Sequence, residues 1–336
     1  MYDDWMDKYA YLIEIGNGLE SMDEAHKTED NLIKGCQSRV WFHAGLKDGK
    51  LYFEIPVKYL GREMLLASTL TSTSSNDFCD VGYKQNDPLH IRFTKIDSTI
   101  YLNEVNAYVT SNSNEPSVKK AIDKNFMDAV LYSYKIAAYN PDSTAVVIDV
   151  TPIFTTDMKE FAFLPTSIMG LIQVVSTFNK EGAALGAIKA FDDNLTVKSM
   201  LSYKVSLRFM SFSFLDNMPL TATVTRSLLL LPEEKMRPRI SDSRVGIFVT
   251  SKQHISTEKD GVQNYTLANR WRMEPKDVAA YKRGKLVEPV KPIVFYVDDA
   301  FPENWLPYIR QGILTWNEAF EKIGFKNVMQ VRDFPS

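Results

Sequence analysis

Three observations predict an α+β fold: helical apolar spacing near the start, alternating strand-like runs from about residue 41 to about residue 250, and a strand-helix-strand succession after residue 291. The expected order is a short helix and hairpin piece over 1–54, a largely antiparallel β domain over 55–250, a linker over 251–290 and an opening β-α-β unit over 291–336. With 336 residues, 45% of them hydrophobic and 24% charged, the chain can bury a sizeable core, and its length fits about two domains of roughly 150 residues.

Each element has its own signal. Trp5, Tyr9, Leu12 and Ile13 recur at helical spacing, with Asp3 and Asp4 at the positive end of the dipole and Gly16 and Gly18 as the stop. A second short helical stretch runs from a Thr28 cap to Gly35, and Cys36 follows at the helix exit. In VWFHAGLKDGKLYFEI two apolar stretches flank Lys47, Asp48 and Gly49, which is a hairpin signature. LHIRFTKI, TIYLNEV, AVLYSYKIAAY, TAVVIDV, the alternation of Tyr203, Val205, Leu207 and Phe209, and LTATVTRSLLLL then read as strands, punctuated by clusters such as YNPDST and LDNMP. Residues 166–190 fit neither period, because short apolar runs do not separate helix from buried strand.

After a proline- and charge-rich stretch, IVFYV has the composition of a buried strand. Trp305, Ile309, Ile313, Trp316, Phe320 and Ile323 predict one helix, with Pro302 in its opening turn and Gly324 at its end. KNVMQV completes a β-α-β unit, which predicts a parallel pair.

Composition excludes several function classes. A net charge of −3 and a pI near 5.9 offer no attraction for nucleic acid. Apolar runs such as Ser227–Leu231 fall far short of the ~20 residues of a membrane span. The first residues are acidic and amphipathic, so no secretory signal is read and the expected location is the cytoplasm. The two cysteines, Cys36 and Cys79, do not make a disulfide framework.

For chemistry, the four histidines, His26, His43, His90 and His254, include no HExxH pair, the arrangement that offers zinc two imidazoles from one helix face. Scattered histidines of this kind read as surface or core residues, and no metal ligand is expected. Cys36 is the candidate nucleophile, because Lys34 and Arg39 would favour its thiolate. The plainer reading is an idle or buried cysteine, and it is the only one for Cys79.

Two resemblances bear on this. Residues from about 3 to 54, above all NLIKGCQSRVWFHAGLKDGKLYFE, resemble the first part of the SufE sulfur-acceptor family. The resemblance implies that Cys36 accepts a persulfide from a cysteine desulfurase, the implied partner, and serves iron-sulfur cluster assembly. From about residue 51 onward, YLGREMLLAST, DPLHIRF, STAVVIDVTPIF, MRPRISDSRVGIF, NRWRMEPKD and LVEPVKPIVFYVDDAFPENWLPYIRQGILTWNEAFEKIGFKNVMQV resemble exported zinc-dependent metallopeptidases common in Bacteroidetes. That kinship implies a β-rich accessory domain before a metzincin-like catalytic domain.

In such enzymes the zinc-binding helix follows the strand-helix-strand opening. No ligand or general base carries over to these 336 residues, and Glu303, Glu318 and Glu321 read as the solvated helix face. The expectation is therefore a metallopeptidase fragment with no cofactor of its own (zinc belonging to the complete family) and no proteolytic activity by itself. Its alternatives are a SufE-like sulfur acceptor through Cys36 and a non-catalytic binding module. The two resemblances meet within GKLYFEIP, which reads as a junction of two genes. An apolar helix face around Trp305–Ile323 is expected to lie exposed.

Overall fold

The computed structural model describes residues 44–191, 194–258 and 261–333, and the predicted amino-terminal helices and Cys36 lie outside them. The described residues form two compact units, one from 44–233 with 253–263, the other from 234–252 with 264–333.

The first unit is a single antiparallel sheet of eleven strands. These are β1 (Ala44–Lys47), β2 (Lys50–Pro56), β3 (Glu63–Thr73), β4 (Leu89–Ile96), β5 (Thr99–Glu104), β7 (Ala129–Tyr139), β8 (Ala145–Asp149), β9 (Ser167–Ile168), β10 (Ile172–Ala190), β11 (Asn194–Phe209) and β12 (Phe212–Leu230). Their spatial order is β1-β2-β8-β7-β5-β4-β3-β12-β11-β10-β9. Leu51, Phe53 and Ile55 of β2 share one core with Ile148 of β8, Phe93 of β4, and Leu195 and Val197 of β11. Strands so far apart in the order meet only if the sheet curls, which follows from strand twist accumulated over many strands. Alternate residues of β2, β4 and β5 line this core, the period the sequence displays. The expected hairpin closes at Asp48 and Gly49, both in the left-handed region.

The stretch that fitted neither period is the 19-residue β10. Its pairing with β11 slips between Asn179 and Ala184 and again between Leu185 and Ile188. Each slip resets the inward-outward alternation, so no single period survives in the sequence. Gly182 sits at the first slip, where a Cβ would lie 2.5 Å from Ser202 Cβ. Here the absent side chain leaves room for those of Ser202 and Asn179.

Three elements outside the sheet complete this unit: β6 (Val109–Thr110), α1 (Pro116–Asn125) and α2 (Thr151–Thr155). The strand β13 (Val249–Ile255) sets Gln253 and His254 parallel to Val109 and Thr110. It is followed by β14 (Val262–Ala268).

The second unit has its own small core of Ala280, Val287, Ile293, Phe325, Val328 and Met329. Ala280 belongs to α3 (Val278–Lys282), capped by the Asp277 carboxylate, which accepts from the Ala280 N–H at 2.8 Å. The predicted parallel pair is present: β15 (Ile293–Val297) runs in register with β16 (Met329–Asp333). Between them the expected single helix is two, α4 (Leu306–Leu314) and α5 (Trp316–Glu321). Thr315 separates them, its hydroxyl donating to the Gln311 carbonyl at 2.9 Å, a back-bond that bends helices. Gly324 ends the pair at φ 92° as predicted. Trp305 is 61% and Trp316 64% exposed, so the apolar stripe is covered only in part, through Ile313 and Phe320.

Among the described residues, no helix is long and apolar enough to cross a membrane.

Candidate functional site

A cleft of about 790 Å³ opens in the first unit where β8 ends. Among the described residues β8 pairs with β7 only over Ile136–Tyr139, whereas β7 continues back to Ala129 with β5 on its other side. After Asp149 the chain leaves the sheet. The Asp149 carboxylate accepts from the Thr151 N–H at 3.0 Å and its hydroxyl at 2.6 Å, while that hydroxyl accepts from the Leu51 N–H at 2.8 Å. This turn launches α2 at Pro152 and carries residues 152–160 across from β7. The Asn86 amide fixes the far end by donating to the Lys159 and Glu160 carbonyls, each at 3.2 Å.

Tyrosines and charges line the space. Tyr52, Tyr132 and Tyr134 supply rings, and Lys50, Lys135, Lys159, Asp149, Asp157 and Glu160 supply charge. Lys50 and Asp149 form an ion pair at 3.3 Å. Burial works against the Asp149 charge, but the bonds from Thr151 and the nearby Lys50 outweigh it and hold the carboxyl below its ordinary value. Tyr132 donates to Glu160 at 2.8 Å, and Tyr203 on β11 donates to Asp157 at 3.0 Å.

Behind this wall lies Arg226 of β12, 1% exposed, its guanidinium 5.3 Å from the Phe161 ring centre and donating to the Ile153 carbonyl. Its Nε has no hydrogen-bond partner. Burial lowers its pKa to about 10, against the pull of Tyr203 and Asp157, so it stays a cation at neutral pH.

Burial raises all three tyrosines of this network, Tyr132 to about 12 and Tyr134 and Tyr203 further. They are neutral O–H donors throughout the ordinary pH range. The Tyr134 hydroxyl is buried without a partner. Such an arrangement can hold and orient a polar ligand.

The residues singled out from sequence lie elsewhere. Cys36, His26 and His43 fall outside the described residues. Cys79 is buried, and burial followed by the neighbouring Asp80 raises its thiol pKa, which suits an inert core residue. His90 meets Glu63 at 3.2 Å across β3 and β4, and His254 meets Asn112 at 3.0 Å. Among the described residues no three His, Cys, Asp or Glu side chains gather as a metal site. Glu318 and Glu321 are exposed on α5, in keeping with a solvated helix face, whereas Glu303, also exposed, lies in the turn before α4 and not on the expected helix. Sequence reading missed the cleft, although one signal was present. Arg226 occupies the phase of the buried Leu220, Ala222, Val224 and Leu228, where a cation is out of place unless it serves a network.

Comparison with known proteins assigns most of the chain. The family model for a domain of unknown function, DUF5117, matches residues 82–276. The chain belongs to the DUF5117 family. Of the network, Tyr132, Tyr134, Asp157, Glu160, Tyr203 and Arg226 lie inside the DUF5117 match. Residues 1–58 match a second model, SufE, the Fe-S metabolism associated domain, and Lys50 and Tyr52 come from that segment.

An uncharacterized SufE-like protein of Rhizobium meliloti (strain 1021) is 46% identical over 39 residues, covering 12% of this chain and 28% of the relative. Another, from Rhizobium etli, is 46% identical over 39 residues, covering 12% and 26%. The chain thus spans about a quarter of the length of these curated relatives. No solved structure matches it.

Proposed function

We propose that the DUF5117 region is the non-catalytic accessory body of a zinc metallopeptidase-type protein, and that residues 291–336 are the opening strand-helix-strand of its metzincin-like domain. The observation that carries this reading is the parallel pairing of β15 with β16, five residues in register, inside a unit with its own core. Every strand of the eleven-stranded sheet is antiparallel to its neighbours, so a parallel pair joined by helices marks the start of a different architecture. Such a pair does not bury both its faces alone, and further strands and helices are what would complete it. The 336 residues hold no HExxH, so the hydrolytic metal would be gripped by residues other than these.

Reading the coding DNA past the codon for Ser336 tests the proposal. An in-frame HExxH helix supports it, and an immediate stop or an unrelated domain removes it.

A second reading applies to the first 58 residues alone: Cys36 accepts sulfur from a cysteine desulfurase. It is favoured by the SufE match and by the local identity to the rhizobial relatives. The chemistry is transfer of a sulfane sulfur from the enzyme's cysteine persulfide to the Cys36 thiolate, with the enzyme thiol released. Incubation of the chain with a desulfurase and labelled cysteine should place one label on Cys36, absent in Cys36→Ser. Equal labelling of wild type and Cys36→Ser would end this reading.

A further inference from the structure

We infer that the cleft takes an extended peptide, which adds as a strand to the free edge of β7 beyond Asp149. The inference stands apart from both readings above, since it uses neither zinc nor Cys36.

Two independent observations carry it. The first is where the cleft lies. It touches Tyr132, Ser133, Tyr134 and Lys135 in succession, and consecutive residues of a strand point to opposite faces of the sheet. A cavity can meet both faces only along the strand's edge. The phase of that edge is set by Ile136, whose N–H donates to the Ser98 carbonyl on the β5 side at 3.1 Å. Tyr134 pairs with Ile100 and Tyr132 with Leu102 in the same phase. The main-chain groups of Ser133 and Lys135 therefore face the other way, toward the place β8 would fill if it ran past Asp149. Among the described residues no strand occupies it.

The second observation is Tyr134. It is 8% exposed, its hydroxyl has no hydrogen-bond partner, and it lines the cleft. A buried O–H without an acceptor is costly, and the side chain of a peptide residue laid opposite Tyr134, on the same face of the sheet, supplies one.

The charges indicate what kind of peptide. Lys50, Lys135 and Lys159 stand against Asp149, Asp157 and Glu160, so the cleft carries no net charge to select an acidic or a basic ligand. Recognition would rest on main-chain bonds to Ser133 and Lys135 and on the rings of Tyr52 and Tyr132, which tolerates varied sequences. The size, about 790 Å³, suits a short extended segment rather than a folded domain.

The test uses the whole chain and an array of overlapping 12-residue peptides from β-casein, a source of extended sequences. Bound peptides should protect the amide hydrogens of Ser133 and Lys135 from exchange. Ser133→Pro removes the outward N–H without touching the β5 ladder, and should weaken binding at least ~10-fold. Tyr134→Phe should weaken it about 2- to 10-fold while leaving the melting temperature equal or higher, because an unsatisfied hydroxyl is removed. A purely structural hydroxyl would instead lower the melting temperature. The inference is overturned if no array peptide binds, if Ser133→Pro binds as wild type, or if both amides are already protected in the free chain. The last result would mean that part of this chain already covers the edge. Should Ser133→Pro fail to fold, the exchange pattern and Tyr134→Phe still decide the matter.

Discussion

Arg226 shares its face of β12 with Leu220, Ala222, Val224 and Leu228, all buried, and is itself the one charged side chain among the buried residues described. Its cation is stabilised by the Phe161 face, the Ile153 carbonyl and the carboxylate of Asp157 beyond Tyr203. The tyrosines around it give this network a pH signature. Below pH 10, their ordinary value, Tyr132, Tyr134 and Tyr203 hold their protons in both folded and unfolded chains. Above it the unfolded chain releases them while the folded chain keeps them, so stability falls between pH 10 and about 12, where Tyr132 titrates in the fold. Arg226 acts oppositely, since above about 10 and up to its higher ordinary value the folded chain loses the proton first and stability rises. Three tyrosines against one arginine leave a net loss. Urea midpoints should be lower at pH 11 than at pH 8, with a further rise in tyrosinate absorbance accompanying unfolding, and Tyr203→Phe should narrow the gap. Equal wild-type midpoints would contradict this account of the network.

Elements were legible where one period ran unbroken. LHIRFTKI and IVFYV coincide with β4 and β15, because each alternates or is uniformly apolar without a bulge, and AVLYSYKIAAY coincides with β7 despite register shifts at Leu131 and Ala137. β10 was not legible, since its two register slips erase the alternation over 19 residues. The break at Thr315 was hidden too, because the apolar spacing continues straight across it. The cleft was hidden for a related reason: it depends on where β8 stops relative to β7, which is a property of pairing and not of either strand's sequence. Gly182 gives a test at this scale. Gly182→Ala would press a methyl against Ser202 at the slip and should destabilise the chain by about 1–3 kcal/mol in urea titration. A change within about 0.5 kcal/mol would show that the close approach is not required.

At the scale of the molecule, two family matches contribute strands to one sheet. The SufE match ends at residue 58, yet β2 (Lys50–Pro56), within that match, pairs with β8 and buries Leu51, Phe53 and Ile55 in the sheet core. This strand fits its place because alternation of apolar residues is what a β2 position demands. The DUF5117 assignment covers the network and most of the sheet, while the parallel β15 and β16 pair lies beyond it and carries the peptidase reading. Metal analysis of the purified 336-residue chain after dialysis tests that reading most directly. The account predicts zinc far below one ion per chain and no chelator-sensitive cleavage of casein; one tightly held zinc per chain, with cleavage that a chelator abolishes, would contradict it.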